Sequence, residues 1–168
     1  MQALNFPRAY AFDLRECEAG TEVFDTQRRR HVLVTPEEWV RQHLVRYLVE
    51  DLGFPGGLVA VETGFTHRGT QHRADVICHD RQGKPLLMAE CKAPEVKLRQ
   101  NAFDQIARYN QSVEAYCLVV TNGLTHYCYV IDRERQDYRF LERIPRFEEM
   151  VSRDLPEKPE SPDDEAQP

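Results

Sequence analysis

The stretch RADVICHDRQGKPLLMAECKA, residues 73–93, is the part of the chain on which the fold turns. In residues 73–79, Ala74, Val76 and Cys78 alternate against Asp75 and Ile77, a period of two that predicts a strand. Asp80 to Lys84 has the composition of a turn, and Pro85 to Ala93 predicts the returning strand of a β-hairpin. On that second strand the period places Met88, Glu90 and Lys92 on one face and Ala89, Cys91 and Ala93 on the other. The small apolar set suits packing against a helix. Glu90 and Lys92 therefore emerge from an otherwise hydrophobic strand, and Asp75 is the matching intrusion in its neighbour. Burying such groups costs free energy unless they are paired or solvated, so their presence asks for a reason.

Outward from the hairpin, the elements alternate in type. Upstream, Thr35 is a helix cap, Pro36 suits the first helical position, and Glu38 stands three residues after Thr35, as in a capping box. Val40, Leu44, Tyr47, Leu48 and Leu52 then recur near a 3.6-residue period, which predicts an amphipathic helix over 36–52 stopped by Gly53 and Pro55. Leu58 to Phe65 reads as a strand and Thr66 to Gln71 as a turn. Downstream, Pro94 ends the hairpin, and a helix is expected over 97–113 with Phe103, Ile106 and Ala107 on its apolar stripe. Tyr116 to Thr121 is a short apolar run of the buried-strand type, Asn122-Gly123 is a turn, and Leu124 to Ile131 returns as a strand, with one more over 138–144. The expected fold class is α/β, a mixed β-sheet flanked by helices.

The 168 residues suit one core domain, here 35–150. Residues 1–34 read as an N-terminal arm or short hairpin packed on it, and 151–168 as a disordered acidic tail rich in proline. With 41% apolar residues the chain can build a core, and no apolar run is long enough for a membrane span. The N-terminus has no basic patch followed by an apolar run, so no signal peptide is expected and a cytoplasmic location follows. The five cysteines form no CxxC pair and read as small buried hydrophobes rather than zinc ligands or disulfides. A net charge of −6 argues against a nucleic-acid partner, yet the segment from Asp154 onward contributes −5 of it, leaving −1 for the rest.

Phosphodiester hydrolysis needs a hard cation, and Mg²⁺ is held by one or two carboxylates with waters and substrate oxygens. Asp75 and Glu90 are of the right type. Lys92, beside Glu90 and facing the same way, can orient the attacking water and meet developing charge. The ordinary alternative for the three is an ion-pair network on an exposed sheet face. For Glu38 the capping box is already a sufficient reason, and for the run Arg28-Arg29-Arg30 a solvated stretch.

Asp75 followed by Glu90-Cys91-Lys92 resembles the D…(E)xK signature of the PD-(D/E)XK nuclease superfamily. The segment Gln105-Ile106-Ala107-Arg108-Tyr109 resembles the QxxxY motif of its RecB-like branch. TPEEWVRQHLVRYLVEDLGFP, with GKPLLMAECKAP, is similar to the N-terminal nuclease domain of type I restriction enzyme R subunits, and the likeness runs from about Phe24 to Ile131. Ala74 replaces the proline of the superfamily's name. The resemblance implies a restriction-endonuclease-like fold and a metal-dependent DNA endonuclease using Mg²⁺ or Mn²⁺. It implies metal ligation by Asp75, Glu90 and the Cys91 carbonyl, with catalytic roles for Asp75, Glu90, Lys92, Gln105 and the helix acid Glu38. Tyr109, Arg108 and Arg73 would contact DNA or support the site. Besides DNA, a motor or specificity subunit or a second copy is the implied partner. The alternative is a catalytically silent module that binds DNA or assembles with a partner.

Overall fold

The computed structural model describes residues 2–132 and 137–155. Ahead of the first helix, three short strands, β1 (Leu14–Cys17), β2 (Gly20–Asp25) and β3 (Arg30–Leu33), form an antiparallel meander. The expected arm or hairpin is thus a small sheet of its own. Gln42 Nε2 donates to Asp25 Oδ2 at 2.7 Å, which ties this sheet to the helix that follows.

That helix, α1 (Pro36–Arg46), opens on Thr35, whose hydroxyl accepts the Glu38 amide at 3.1 Å. The helical path continues as a wider π-type turn over Tyr47–Asp51, where the Leu52 amide bonds back to the Tyr47 carbonyl at 3.1 Å. The expected end near Leu52 is right, but the last turn is not α-helical. Glu50 and Asp51 of that turn face outward onto Arg8, at 2.6 and 2.9 Å.

The main sheet has six strands in sequence order: β4 (Val59–His67), β5 (Thr70–His79), β6 (Pro85–Cys91), β7 (Cys117–Thr121), β8 (His126–Asp132) and β9 (Asp137–Leu141). All neighbours are antiparallel except β6 and β7, which are parallel and joined through α2 (Gln100–Val113). This is the mixed sheet that the alternation of elements predicts.

Both faces of the sheet are covered. Val40, Leu44 and Leu48 pack with Val76, Cys78, Leu87, Ala89 and Cys91 on one side. Ala102 and Ile106 of α2 pack with Ile77, Met88, Leu118 and Val120 on the other. Two-sided burial is why β6 and β7 read as nearly continuous apolar runs. Four of the five cysteines, Cys78, Cys91, Cys117 and Cys128, are buried, and Cys17 is exposed.

Three expectations need correction. First, the six-residue turn over 66–71 is a two-residue turn, Arg68-Gly69, with φ of 50° and 79°. Such a left-handed pair closes a tight hairpin, so the polar residues around it belong to strands. Second, Ala74 does not share a face with Val76 and Cys78, because it packs on the α2 side and they on the α1 side. The alternation slips at Asp75. Third, the boundary at 150 falls inside a short helix, α3 (Phe147–Ser152), whose Phe147 and Met150 are buried, and Leu155 is buried after it. Six residues are too few to show a helical period. Residues 156–168, the rest of the expected tail, lie outside the described residues.

Leu44 is fully buried between α1 and the sheet. Leu44→Ala is expected to lower the unfolding free energy by about 2–5 kcal/mol, read from urea denaturation.

Candidate active site

The ladder between β5 and β6 runs through Cys78↔Leu87, Ile77↔Met88 and Val76↔Ala89, then stops. The next residues toward the open end are Asp75 and Glu90. Instead of a backbone rung, the Cys91 amide donates to Asp75 Oδ2 at 2.6 Å. On the other flank, Val61↔Val76 and Thr63↔Ala74 pair on either side of Glu62, which has a φ of 51°. Glu62 and Asp75 thus stand opposite each other without a rung at the point where the alternation slips.

Glu90 points toward α2. Lys92 Nζ lies 2.6 Å from Glu90 Oε1, and Gln105 Nε2 donates to the same oxygen at 3.2 Å. Gln105, Lys92 and Glu90 therefore meet at one carboxylate oxygen. The face they share is not an exposed one, since Glu90 is only 7% exposed.

Asp75 meets α1 through a residue that the sequence reading passes over. Arg41 Nη2 contacts Asp75 Oδ1 at 2.7 Å, and the same guanidinium bonds Glu38 and reaches Glu37 and Glu62, each at 3.4 Å. Glu38 is held on all sides, by Arg41 on one oxygen and by Arg28 and Gln42 on the other. Its carboxylate does not return to the Thr35 amide, which bonds the Leu33 carbonyl instead, so the capping box is half formed. Among the described residues Glu38 joins the site only through Arg41. Arg28 is no solvated residue either: its side chain is 14% exposed and pairs with Asp25 at 2.8 Å. Arg29 and Arg30 are exposed as expected.

Arg41 stands three residues after Glu38 and four after Glu37, legible in the sequence as helix-surface pairs. Its reach to Asp75 depends on how α1 packs across the sheet, which no local pattern carries. The remaining candidates lie apart. Tyr109 packs its ring on His72 at 4.5 Å and on Phe65 at 5.6 Å, away from Glu90. Arg108 is exposed, and Arg73, also exposed, lies 3.2 Å from Glu62.

Burial, and then the charge of Asp75, push the Glu90 carboxyl above its usual range, against the pull of Lys92. Glu37 is raised by the same two causes in the same order. Burial works against the Lys92 ammonium, but its hydrogen bond to Glu90 and the surrounding acids outweigh it and keep it charged. Arg41 is likewise held firmly in its charged form: desolvation opposes this, and Asp75 and Glu38 prevail.

Among the described residues no three His, Cys, Asp or Glu side chains converge on one point as a metal cage. The donors at the parted strands are two carboxylates and a backbone carbonyl, all hard oxygens of the kind that a cation keeping several waters accepts. Glu90 Oε2 takes no hydrogen bond from the described residues. The chemistry of this set fits Mg²⁺ or Mn²⁺.

The sequence matches, over residues 36–145, a family model described as the type I restriction enzyme R protein N terminus. Among solved structures, a fragment assigned to an HsdR subunit of a type I restriction enzyme from Vibrio vulnificus YJ016 aligns with a TM-score of 0.54 and 22% identity. The alignment covers 71% of this chain and 25% of that one. A protein of the DUF820 group from Anabaena variabilis, described as a nuclease, aligns with a TM-score of 0.44 and 11% identity over 83% of this chain and 88% of its own. Among curated proteins none matches the sequence. The mixed sheet between helices is the restriction-endonuclease-like fold expected from the motifs.

Two outcomes follow from the charges. Arg41→Met would leave Asp75 and Glu38 without their shared partner, and a loss of about 3–5 kcal/mol in urea unfolding is expected. A loss near zero would contradict the network. A carboxyl raised in the folded state stabilises below its unfolded pKa, and that contribution is lost as pH rises through the folded value. The melting temperature of the native chain, minus that of Glu90→Gln, should therefore fall as pH rises above the ordinary carboxyl value of 4.5 in metal-free buffer.

Proposed function

We propose that this chain, which belongs to the family of type I restriction enzyme R protein N termini, is a metal-dependent DNA endonuclease of the PD-(D/E)XK type. One observation carries the reading. The β5–β6 ladder parts at Asp75 and Glu90, and Lys92 and Gln105 close on Glu90 at that same point.

Asp75, Glu90 and the Cys91 carbonyl would hold Mg²⁺ or Mn²⁺. Bound there, the ion would screen the charge of the phosphate and ease proton loss from the attacking water. The other roles belong to the chain. Lys92 orients the water and meets the negative charge that grows on the phosphate. Gln105 fixes the Glu90 carboxylate, and the Cys91 amide and Arg41 fix that of Asp75. Glu38 acts at one remove, by holding Arg41 in place. A motor or specificity subunit or a second copy is the partner that goes with this reading, and the cytoplasm its location. Among the described residues no helix is long and apolar enough to cross a membrane.

A second reading has its own observation. Both oxygens of Asp75 and one of Glu90 already have partners inside the chain. A silent module that keeps the fold for DNA binding or assembly would look the same.

Plasmid DNA incubated with the protein and Mg²⁺ or Mn²⁺ should be cut. Lys92→Ala should slow cutting by about 10²–10³-fold or more. Mn²⁺ calorimetry separates the readings: heat of binding that disappears in Asp75→Ala belongs to the endonuclease. Undiminished cutting by Lys92→Ala would overturn its proposed role, and no metal binding with no cutting would leave the silent module.

A further inference from the structure

The β4–β5 pair does not end where the β5–β6 ladder does. It continues from Thr63↔Ala74 to His67↔Thr70, so these residues project past the paired part of β6 as a two-stranded arm. At about 3.3 Å per residue the arm reaches roughly 20 Å from the parted strands. It is braced along α2. His67 Nδ1 meets Ser112 Oγ at 2.9 Å, and the Tyr109 ring packs on His72 and Phe65. The arm is thus a fixed projection whose root is the candidate site.

Its charge departs from that of the chain. Residues 63–74 and 105–113 contain Arg68, Arg73, Arg108, His67 and His72 and no Asp or Glu, with Asp104 and Glu114 flanking the helical part, while the chain before Asp154 has a net charge of −1. Arg68 and Arg108 are exposed, and no ion pair joins either to an acid among the described residues. Both, with His72, lie close enough to disfavour the charged form of His67, after the burial of that ring. His67 Nε2 is buried without a hydrogen-bond partner. The surface around these groups is polar rather than apolar, with Thr66, Thr70 and Gln71 exposed on the arm and Gln111 exposed on α2. Positive charge on a polar surface is the footprint of phosphate contacts, whereas a protein interface would bring an apolar centre. On the opposite flank Asp25, Glu37, Glu38 and Glu62 surround two arginines, a poor path for a polyanion.

We infer that the β4–β5 arm and the C-terminal half of α2 form a track for the phosphate backbone of duplex DNA, with Arg68 and Arg108 as its contacts. The track leads away from the candidate site over about five or six base-pair steps at 3.4 Å each. The inference rests on the DNA reading above.

The test is fluorescence anisotropy of a labelled duplex in Ca²⁺ across a salt series, comparing the native chain, Arg68→Ala/Arg108→Ala, and the control Arg81→Ala/Arg143→Ala. Losing both contacts should weaken binding by about tenfold or more near 0.1 M salt and flatten the slope of log K against log salt by about 1.8. The control should leave both quantities unchanged. Melting temperature and Mn²⁺ binding should also be unchanged in the arm variant, so that a loss is one of contact and not of folding. Native affinity and slope in that variant would overturn the track while leaving the nuclease reading intact. An equal loss in the control, or equal competition by polyglutamate, would overturn it as well. No duplex binding by the native chain would overturn both readings together.

Discussion

Where β5 and β6 stop exchanging backbone hydrogen bonds, the Cys91 amide donates to Asp75 Oδ2 at 2.6 Å, a side chain standing in for a carbonyl. Without that substitute a donor on a fully buried residue would lack a partner, at a cost of about 1–3 kcal/mol. The bond closes the end of the hairpin and fixes a carboxylate beside Glu90. Lys92 then follows from the strand itself, two residues on, with its own amide carried over to the Thr121 carbonyl of β7 at 2.8 Å. The site is built into the place where β6 gives up one neighbour and keeps the other.

The two carboxylates are stabilised by different means. Asp75 belongs to the α1 side, where Arg41 and Arg28 sit among Asp25, Glu37, Glu38 and Glu62. Acids outnumber guanidinium groups there, so the network holds negative charge that it does not fully balance. Glu90 belongs to the α2 side, with Lys92 and Gln105. Buried ionic networks of this sort are weak contributors to stability compared with apolar packing, and their role is to hold particular atoms in place.

The sequence makes the hairpin, the capped helix, the QxxxY helix and the mixed sheet legible because each rests on a local period or a short motif. Glu90, Lys92 and Gln105 were legible as a set for the same reason. Arg41 and Arg28 were not: their partners lie across α1 and the small N-terminal sheet, and an arginine on a helix or in a basic run looks the same whether solvated or buried. The tight turn at Arg68-Gly69 hid among polar residues that are strand in the fold, because an arm open to water needs no apolar alternation. α3 escaped for want of length. Tyr109, four residues from Gln105, shares its motif but turns to the ring cluster on the arm.

Asp75, Glu90, Lys92 and Gln105 all come from one hairpin, the crossover after it and the helix it leads into, between residues 75 and 105. Contacts so near in sequence close small loops, which lose little chain entropy and form early. The proposed chemistry therefore resides in a short stretch of chain, completed by α1 on one side and β7 on the other. The distant parts, α1 with Arg41 and the N-terminal sheet with Arg28, hold it from outside as a clamp. Variation in those outer parts could tune how tightly Asp75 is held while leaving the Glu90–Lys92–Gln105 geometry as it is.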